Sequence, residues 1–244
     1  MSAEHQHHSH IDQAAWAKSL ILFGLGIYLA VLILTGNLAN YINLRFAWLA
    51  YIGTALFFLL GLVNLYVCLN PRRAHSHHQI SWDNLLIVAF PLLLALLIPS
   101  RSLGVEAVSG GIGLSPVGVE RASALTRNPL DRNILDWLRV FNRAATPAAF
   151  NGQSVDVSGF VYREPSMGED EFMVSRFTMS CCVADAYPIG MPVRSSATGE
   201  FTPGAWVRVR GEVFADLFQG EFAPIILADA IALIEEPAQP YLYP

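Results

Sequence analysis

The chain has 244 residues, of which 53% are hydrophobic and only 14% are charged, and its formal net charge at pH 7 is −5. This balance excludes an ordinary soluble protein and, because the apolar residues are concentrated before residue 100, indicates a membrane half joined to a water-soluble half. From residue 151 onward the chain has 13 acidic residues, 5 arginines and no lysine, so its net charge there is −8. A negative net charge opposes binding to nucleic acid. The three cysteines of the chain are too few for a disulfide framework.

The N-terminal tail, residues 1–18, is polar and rich in histidine, and we expect residues 1–13 to be disordered. Residues 19–35 are uncharged and mostly apolar. As a helix they measure about 26 Å, just enough to span a bilayer. The run is long for a signal peptide and no clear cleavage site follows it, which favours an uncleaved anchor over a removed signal.

Two further spans complete a transmembrane domain at residues 19–99. The run at 46–69 is the clearest of the three. The third span, 82–98, has a purely apolar part of 14 residues, or about 21 Å of helix, so it needs the residues just before it to reach across. Charged residues occur only at the ends of the apolar runs. The predicted spans therefore form an anchor and a docking surface, and they provide no path for ions.

Basic residues predict the orientation of the chain. If three spans cross, Lys18 and the Arg72–Arg73 pair share one side, and Arg45 and Arg101 lie on the other. The positive-inside rule then places the N-terminus in the cytoplasm and the C-terminal half outside the cell. If the third span does not cross, the C-terminal half stays in the cytoplasm.

A linker rich in Gly and Ser, residues 100–127, precedes a predicted amphipathic helix at residues 130–142. Packing on the following domain is the expected role of its apolar face, and the alternatives are the membrane surface or a partner protein. The residues on that face are Leu130, Ile134, Trp137, Leu138 and Phe141.

The rest of the chain predicts short strands. They cover residues 154–162, 171–184 and 206–214, with one or two more within 220–234. Mid-strand glycines, Gly159 and Gly211, are typical of the bends in small closed barrels. The predicted fold is therefore a membrane protein with N-terminal transmembrane α-helices and a C-terminal all-β small barrel, OB-like, which with its helix occupies residues 128–244.

The apolar spans, the amphipathic helix and the segment RFTMSCCVADAYPIG, residues 176–190, together resemble a bacterial family. This is the family of YcgQ-type subunits of a two-component membrane permease complex, which carry a domain of unknown function. The hexapeptide CCVADA, residues 181–186, is the most specific part of a resemblance that covers most of the chain. The resemblance implies a companion integral-membrane permease and hints at metal handling, but it implies no known substrate.

The adjacent residues Cys181 and Cys182 are the main candidate site. On a regular strand their thiols would point to opposite faces, whereas in a turn both could approach one ion, with Asp185 three residues further on. A closed zinc site needs four protein ligands, and no histidine lies in the soluble half. The pair is therefore a partner-completed soft-metal site, a thiol-redox site lacking the usual Cys-x-x-Cys spacing, or merely structural.

All seven histidines lie in the N-terminal tail and in the loop between the second and third spans. Both segments would lie on the same face of the membrane. Imidazole is a common metal ligand, so these clusters predict loose capture of a transition metal near a transporter entrance, and the alternative is a polar tail and loop with no ligand role. The residues are His5, His7, His8, His10, His75, His77 and His78.

Catalytic motifs are missing from the sequence. It has no phosphate-binding loop, no nucleophile elbow and no zinc-protease helix, and without histidine the soluble half cannot form a Ser–His or Cys–His pair. We therefore expect a non-enzymatic, multi-pass accessory subunit in the cell membrane, with a permease subunit and the lipid bilayer as partners and no nucleic acid. The alternative is a membrane-anchored thiol oxidoreductase or chaperone that uses Cys181 and Cys182.

Overall fold

The computed structural model describes residues 3–70, 82–114, 127–196 and 201–244, without the side chains of 3–12, 82–84, 147 and 221. The chain folds into two compact units. The first comprises Met1–Ala39 and Leu44–Arg101, and the second comprises Asn40–Asn43 and Ser102–Pro244. The short segment after the first helix therefore belongs with the C-terminal half.

Within the described residues, the first unit contains three α-helices, α1 (Ala3–Leu34), α2 (Ala47–Leu69) and α3 (Trp82–Leu97). Two described helical stretches, Gln13–Leu34 and Leu44–Leu69, are long and apolar enough to cross a membrane, while the apolar stretch Leu85–Leu97 is shorter. The prediction of a disordered N-terminus was wrong for the backbone, because α1 already begins at Ala3.

A polar contact joins α1 to α2 within this apolar unit. The side-chain amide of Asn64 donates hydrogen bonds to the carbonyl oxygen of Ala15 at 2.9 Å and to Ser19 Oγ at 2.7 Å. Since an unpaired amide in an apolar environment is costly, this contact fixes the register of the two helices.

The second unit is built on a closed five-stranded barrel. Its strands are β1 (Gln153–Tyr162), β2 (Glu171–Thr178), β3 (Tyr187–Arg194), β4 (Trp206–Phe218) and β5 (Glu221–Leu233). They are ordered β1-β2-β3-β5-β4, with β4 pairing back to β1, and β3–β5 is the parallel pair. The extended run predicted over 171–184 ends at Thr178, and β3 is a strand that the sequence analysis did not predict.

Close approach of neighbouring strands requires glycine at two positions. A Cβ atom at Gly211 would lie 2.0 Å from the carbonyl oxygen of Leu227, and one at Gly159 would lie 2.4 Å from that of Ser175. The pairing of β4 with β5 also shifts register between Arg210 and Gly211. Glycine therefore permits the close strand contacts at both positions, and the register shift at Gly211 is an irregularity of the kind found in strands that close a barrel.

The amphipathic helix, α4 (Ile134–Arg143), packs on the barrel. Asn133 and Asp136 form a capping box at its start, which satisfies free backbone N–H groups of the first turn. Trp137 and Leu138 are fully buried in the main core together with residues from all five strands. Leu130 does not join this face: it lies in a separate 3₁₀ turn and is exposed, contrary to the sequence prediction.

Replacement of Gly211 by alanine tests the bend in β4. Because the new methyl group would meet backbone atoms of β5, we expect Gly211→Ala to destabilise the protein by about 1–3 kcal/mol, the usual cost of overpacking. The measurement is thermal unfolding of the full chain in detergent, followed by tryptophan fluorescence. Glu212→Ala, at the exposed neighbouring position, is the matched control, and equal stability of the two variants would contradict the assignment.

Candidate functional site

Cys181 and Cys182 lie in the turn of residues 179–186 that joins β2 to β3, here called the cysteine turn. β2 ends at Thr178, the chain turns through the two cysteines, and a short 3₁₀ turn over Val183–Asp185 leads into β3. The Sγ atoms of Cys181 and Cys182 are 3.7 Å apart. The two thiols therefore lie close together, as expected in a turn, and do not point to opposite faces, as they would on a regular strand.

Asp185 organises this turn. Its Oδ1 accepts a hydrogen bond from the backbone N–H of Ser180 at 3.0 Å, and its Oδ2 accepts one from that of Cys181 at 2.8 Å. Partial burial alone would raise the pKa of Asp185, but hydrogen bonds from the backbone and side chain of Cys181 and from neighbouring N–H groups lower it. The carboxylate is therefore ionised at neutral pH and its oxygens are engaged inside the turn.

Cys181 is exposed, yet its environment suppresses ionisation. The hydrogen bond to the side chain of Asp185 raises the pKa of the Cys181 thiol to about 11, and the contact with Cys182 acts in the same direction. Because the thiolate is the reactive form of cysteine, Cys181 is a weak nucleophile at neutral pH.

A segment far away in the sequence pairs with the cysteine turn. Residues 41–43, which group with the barrel, run antiparallel to residues 181–183, with Ile42 opposite Cys182. Two backbone hydrogen bonds flank that pair, from Asn43 N–H to the Cys181 carbonyl at 3.0 Å and from Val183 N–H to the Tyr41 carbonyl at 2.9 Å. Ile42 and Cys182 are therefore a non-hydrogen-bonded antiparallel pair.

The side chain of Asn43 adds a third contact. Its amide donates to the carbonyl oxygen of Ser180 at 2.9 Å, and the residue is buried. Sequence analysis missed Asn43 because nothing in a short polar loop marks one asparagine as a partner of a segment 137 positions away.

The C-terminal tail holds the chain just before the turn. Leu242 N–H donates to the Phe177 carbonyl at 2.8 Å, and Met179 N–H donates to the Leu242 carbonyl at 3.0 Å. These bonds form a short parallel bridge between Thr178 and Leu242. The cysteine turn is therefore fixed on both sides by backbone pairing.

Two thiols are the ligands that this turn can offer to a metal ion. At zinc–sulfur distances of about 2.3 Å, tetrahedral geometry separates two thiolates by about 3.8 Å, close to the observed 3.7 Å. In the described ranges no group of three or more His, Cys, Asp or Glu residues is placed to hold a metal ion.

The structure does not describe the side chain of any of the seven histidines. His75, His77 and His78 lie outside the described residues. The other four, His5, His7, His8 and His10, lie in the part of α1 whose side chains the structure does not describe. Their predicted role in metal capture stays a prediction.

Comparison with known proteins places the chain in a family. The DUF1980 N-terminal domain matches residues 17–111, and the DUF1980 C-terminal domain matches residues 129–244. The chain belongs to the DUF1980 family. The resemblance to YcgQ-type proteins is thereby confirmed.

Two relatives from bacteria align over nearly their whole length. A Streptococcus mutans protein named "Putative two-component membrane permease complex subunit" is 23% identical over 91% of this chain and 95% of its own. The Bacillus subtilis "UPF0703 protein YcgQ" is 21% identical over 93% of this chain and 98% of its own.

Solved structures also match part of this chain. A small single-stranded DNA-binding protein from Streptomyces coelicolor covers 35% of this chain and 95% of its own, with 15% identity and a TM-score of 0.25. A likeness at that TM-score assigns neither a fold nor a nucleic-acid interaction to this chain.

The thiol–carboxylate contact predicts an unusual pH profile for Cys181. In a chain carrying Cys68→Ser and Cys182→Ser, alkylation of Cys181 by iodoacetamide should be slow at pH 8 and rise steeply only above pH 10. Asp185→Asn removes the anionic acceptor, which lowers the thiol pKa, so the rate at pH 8 should increase about ten-fold for each unit of the shift.

A chain that retains only Cys68 is the matched control, because Asp185→Asn should leave its alkylation rate unchanged. An identical rate for Cys181 with aspartate and with asparagine at position 185 would refute the proposed hydrogen bond.

Proposed function

We propose that this protein is a non-enzymatic accessory subunit of a membrane permease, whose barrel lies outside the cell and presents Cys181 and Cys182 to a transition-metal ion. The observation that carries the proposal is the pair of thiols 3.7 Å apart on an accessible turn. Two ligands leave a tetrahedral ion half coordinated, so the permease partner supplies the rest. The printed name of the Streptococcus mutans relative supports the assignment to a permease complex.

Covalent connectivity supports a third membrane crossing. Residues 40–43 follow α1, whereas the barrel follows α3. With two crossings, the barrel would lie on the side opposite to residues 40–43, and the pairing of Ile42 with Cys182 could not form. A crossing by α3 returns the chain to the side of that segment. The short apolar part of α3, Leu85–Leu97, then spans with help from flanking residues.

The positions of the basic residues indicate which side of the membrane is cytoplasmic. The Arg72–Arg73 pair and Lys18 fall on the side opposite to the barrel, and the positive-inside rule makes that side cytoplasmic. Both histidine clusters then lie on the cytoplasmic face, where they would give loosely bound metal a set of imidazole ligands.

The oxidoreductase alternative is disfavoured by the state of Cys181. A thiol–disulfide enzyme needs a thiolate at neutral pH, and such cysteines lie in electropositive surroundings that lower the pKa. Cys181 instead lies beside a carboxylate that raises it. A soft metal ion that binds Cys181 must displace the thiol proton.

An engineered disulfide tests the topology. In a non-hydrogen-bonded antiparallel pair the Cα atoms are about 4.5 Å apart, which a disulfide can bridge. In a chain with Cys68→Ser and Cys181→Ser, we therefore expect Ile42→Cys to form an intrachain disulfide with Cys182 in membranes under mild oxidation. Mass spectrometry of peptides under non-reducing conditions gives the yield.

The matched control keeps Ile42→Cys and Cys181 but carries Cys182→Ser, and it should yield little of the cross-link. If α3 does not cross, the two residues lie on opposite sides of the membrane and no disulfide forms in either chain. A membrane-impermeant maleimide then fixes the direction. A cysteine at exposed Leu217 should react in intact cells, whereas Ser76→Cys should react only after lysis.

Cadmium binding tests the metal assignment. We expect the purified full-length chain to show thiolate-to-cadmium charge-transfer absorbance, which either Cys181→Ser or Cys182→Ser abolishes and Cys68→Ser leaves intact. Co-expression with the companion permease should tighten binding by about ten-fold or more, because further ligands complete the ion's coordination.

The two parts of the proposal fail separately. If the chain and the permease do not co-purify after co-expression, the accessory role is wrong whatever cadmium does. If they co-purify but cadmium binding does not depend on the cysteine pair, the role stands and the metal assignment is wrong.

A further inference from the structure

The cysteine turn is joined to the start of an apolar stretch by very few residues. Asn43 N–H donates to the Cys181 carbonyl, and Leu44, the next residue of the chain, begins the apolar stretch Leu44–Leu69. Consecutive Cα atoms are 3.8 Å apart, and antiparallel partners lie about 5 Å apart. Connectivity alone therefore keeps the cysteine turn within about 10 Å of the residue at which that stretch begins.

The C-terminal residues connect two more segments of this kind to the same end of the barrel. Leu242 pairs with Thr178, the last residue of β2. The hydroxyl of its neighbour Tyr241 accepts a hydrogen bond from Leu103 N–H at 2.9 Å and donates one to the Asn40 carbonyl at 3.4 Å. Leu103 and Asn40 follow the last residues of α3 and α1 by six positions each, a reach of at most about 22 Å. All three connections to the apolar helices thus enter the barrel unit at the end that carries the cysteine turn.

The other end of β2 differs in charge. Seven steps of about 3.3 Å along the strand separate Thr178 from Glu171, so the two ends are about 23 Å apart. Glu169 and Asp170 are exposed in the loop that leads into β2 at this second end. Anionic lipids repel carboxylates, so the second end is unsuited to a bilayer surface.

The end with the cysteine turn has the features of a membrane interface. Tyr187, the first residue of β3, is 42% exposed beside the turn. Tyrosine is enriched at membrane–water interfaces, because its ring is apolar and its hydroxyl is polar. Asp185 supplies the one carboxylate of residues 179–186, and both of its oxygens accept backbone N–H groups.

We propose that the end of the barrel that carries the cysteine turn lies in the headgroup layer of the bilayer. This placement rests on the membrane crossings of the proposed function, which decide the side of the barrel but not the end that meets the lipid. A metal ion held by Cys181 and Cys182 then takes its remaining ligands from segments of the permease at the membrane surface, and not from a soluble domain far from the bilayer.

Quenching by spin-labelled lipid tests the placement. In a full-length chain with all three cysteines replaced by serine, Ala184→Cys labels the cysteine turn and Glu169→Cys labels the other end of β2, both at exposed positions. Each chain carries a bimane fluorophore and is reconstituted into phosphatidylcholine vesicles with a nitroxide on the lipid headgroup. Because the headgroup layer is only about 5–8 Å thick, the label at position 184 should lose at least about three times more fluorescence than the label at 169.

Vesicles without nitroxide give the reference intensity, and iodide should quench both labels in detergent because both positions are exposed. Tyr187→Cys, a second exposed position at the same end, should behave like Ala184→Cys. Equal quenching at the two ends of β2, or stronger quenching at position 169, would overturn the placement. If the Ile42→Cys disulfide with Cys182 forms but quenching is equal, the crossings stand and only the placement is wrong. If that disulfide does not form, the crossings themselves fail, whatever the quenching.

Discussion

Backbone pairing at the cysteine turn is the constraint on which the candidate site depends. The turn lies between two strands, but its backbone is held by segments that are far from it in the sequence. Residues 41–43 pair with it on one side, and Leu242 pairs with the end of β2 just before it. Because backbone hydrogen bonds inside a protein cannot be lost without a penalty, neither cysteine can move without breaking one of these contacts.

One carboxylate connects the structure of this turn to its chemistry. Asp185 accepts backbone N–H groups and so stabilises the turn, and the same negative charge keeps the Cys181 thiol protonated. A proton must therefore leave when a metal binds, which makes metal affinity rise with pH. The arrangement disfavours spontaneous thiol chemistry at neutral pH while it keeps the two sulfur atoms at a separation suited to one ion.

The polar side of α4 is buried as well as its apolar side. Asp136 and Arg139 are nearly as buried as the core residue Phe141. The apolar side packs into the barrel, whereas the polar side, with Arg176 and Tyr243, lines a cavity of about 290 Å³ beside the C-terminal residues. The C-terminal segment therefore contacts two regions of the barrel unit, since Leu242 pairs beside the cysteine turn and Tyr243 lines the cavity.

The sequence by itself determined the locally encoded features. The apolar runs, the periodicity of α4 and the alternation in β1 and β4 predict their elements, because side-chain burial repeats with the period of each element. Gly159 and Gly211 were identified from their position in the middle of predicted strands. The apolar spans, the amphipathic helix and the segment that contains CCVADA together indicated the family. Those features depend on residues near one another in the chain.

Only the tertiary structure decided the features that depend on distant segments. The break at Thr178, the strand β3 and the pairing of Asn43 with the cysteine turn follow from barrel closure and from pairing across 137 positions, which no local pattern encodes. The burial of the polar face of α4 likewise requires the C-terminal tail to fold over it. Sequence left two arrangements open for Cys181 and Cys182, and long-range backbone hydrogen bonding selected the turn that brings their thiols together.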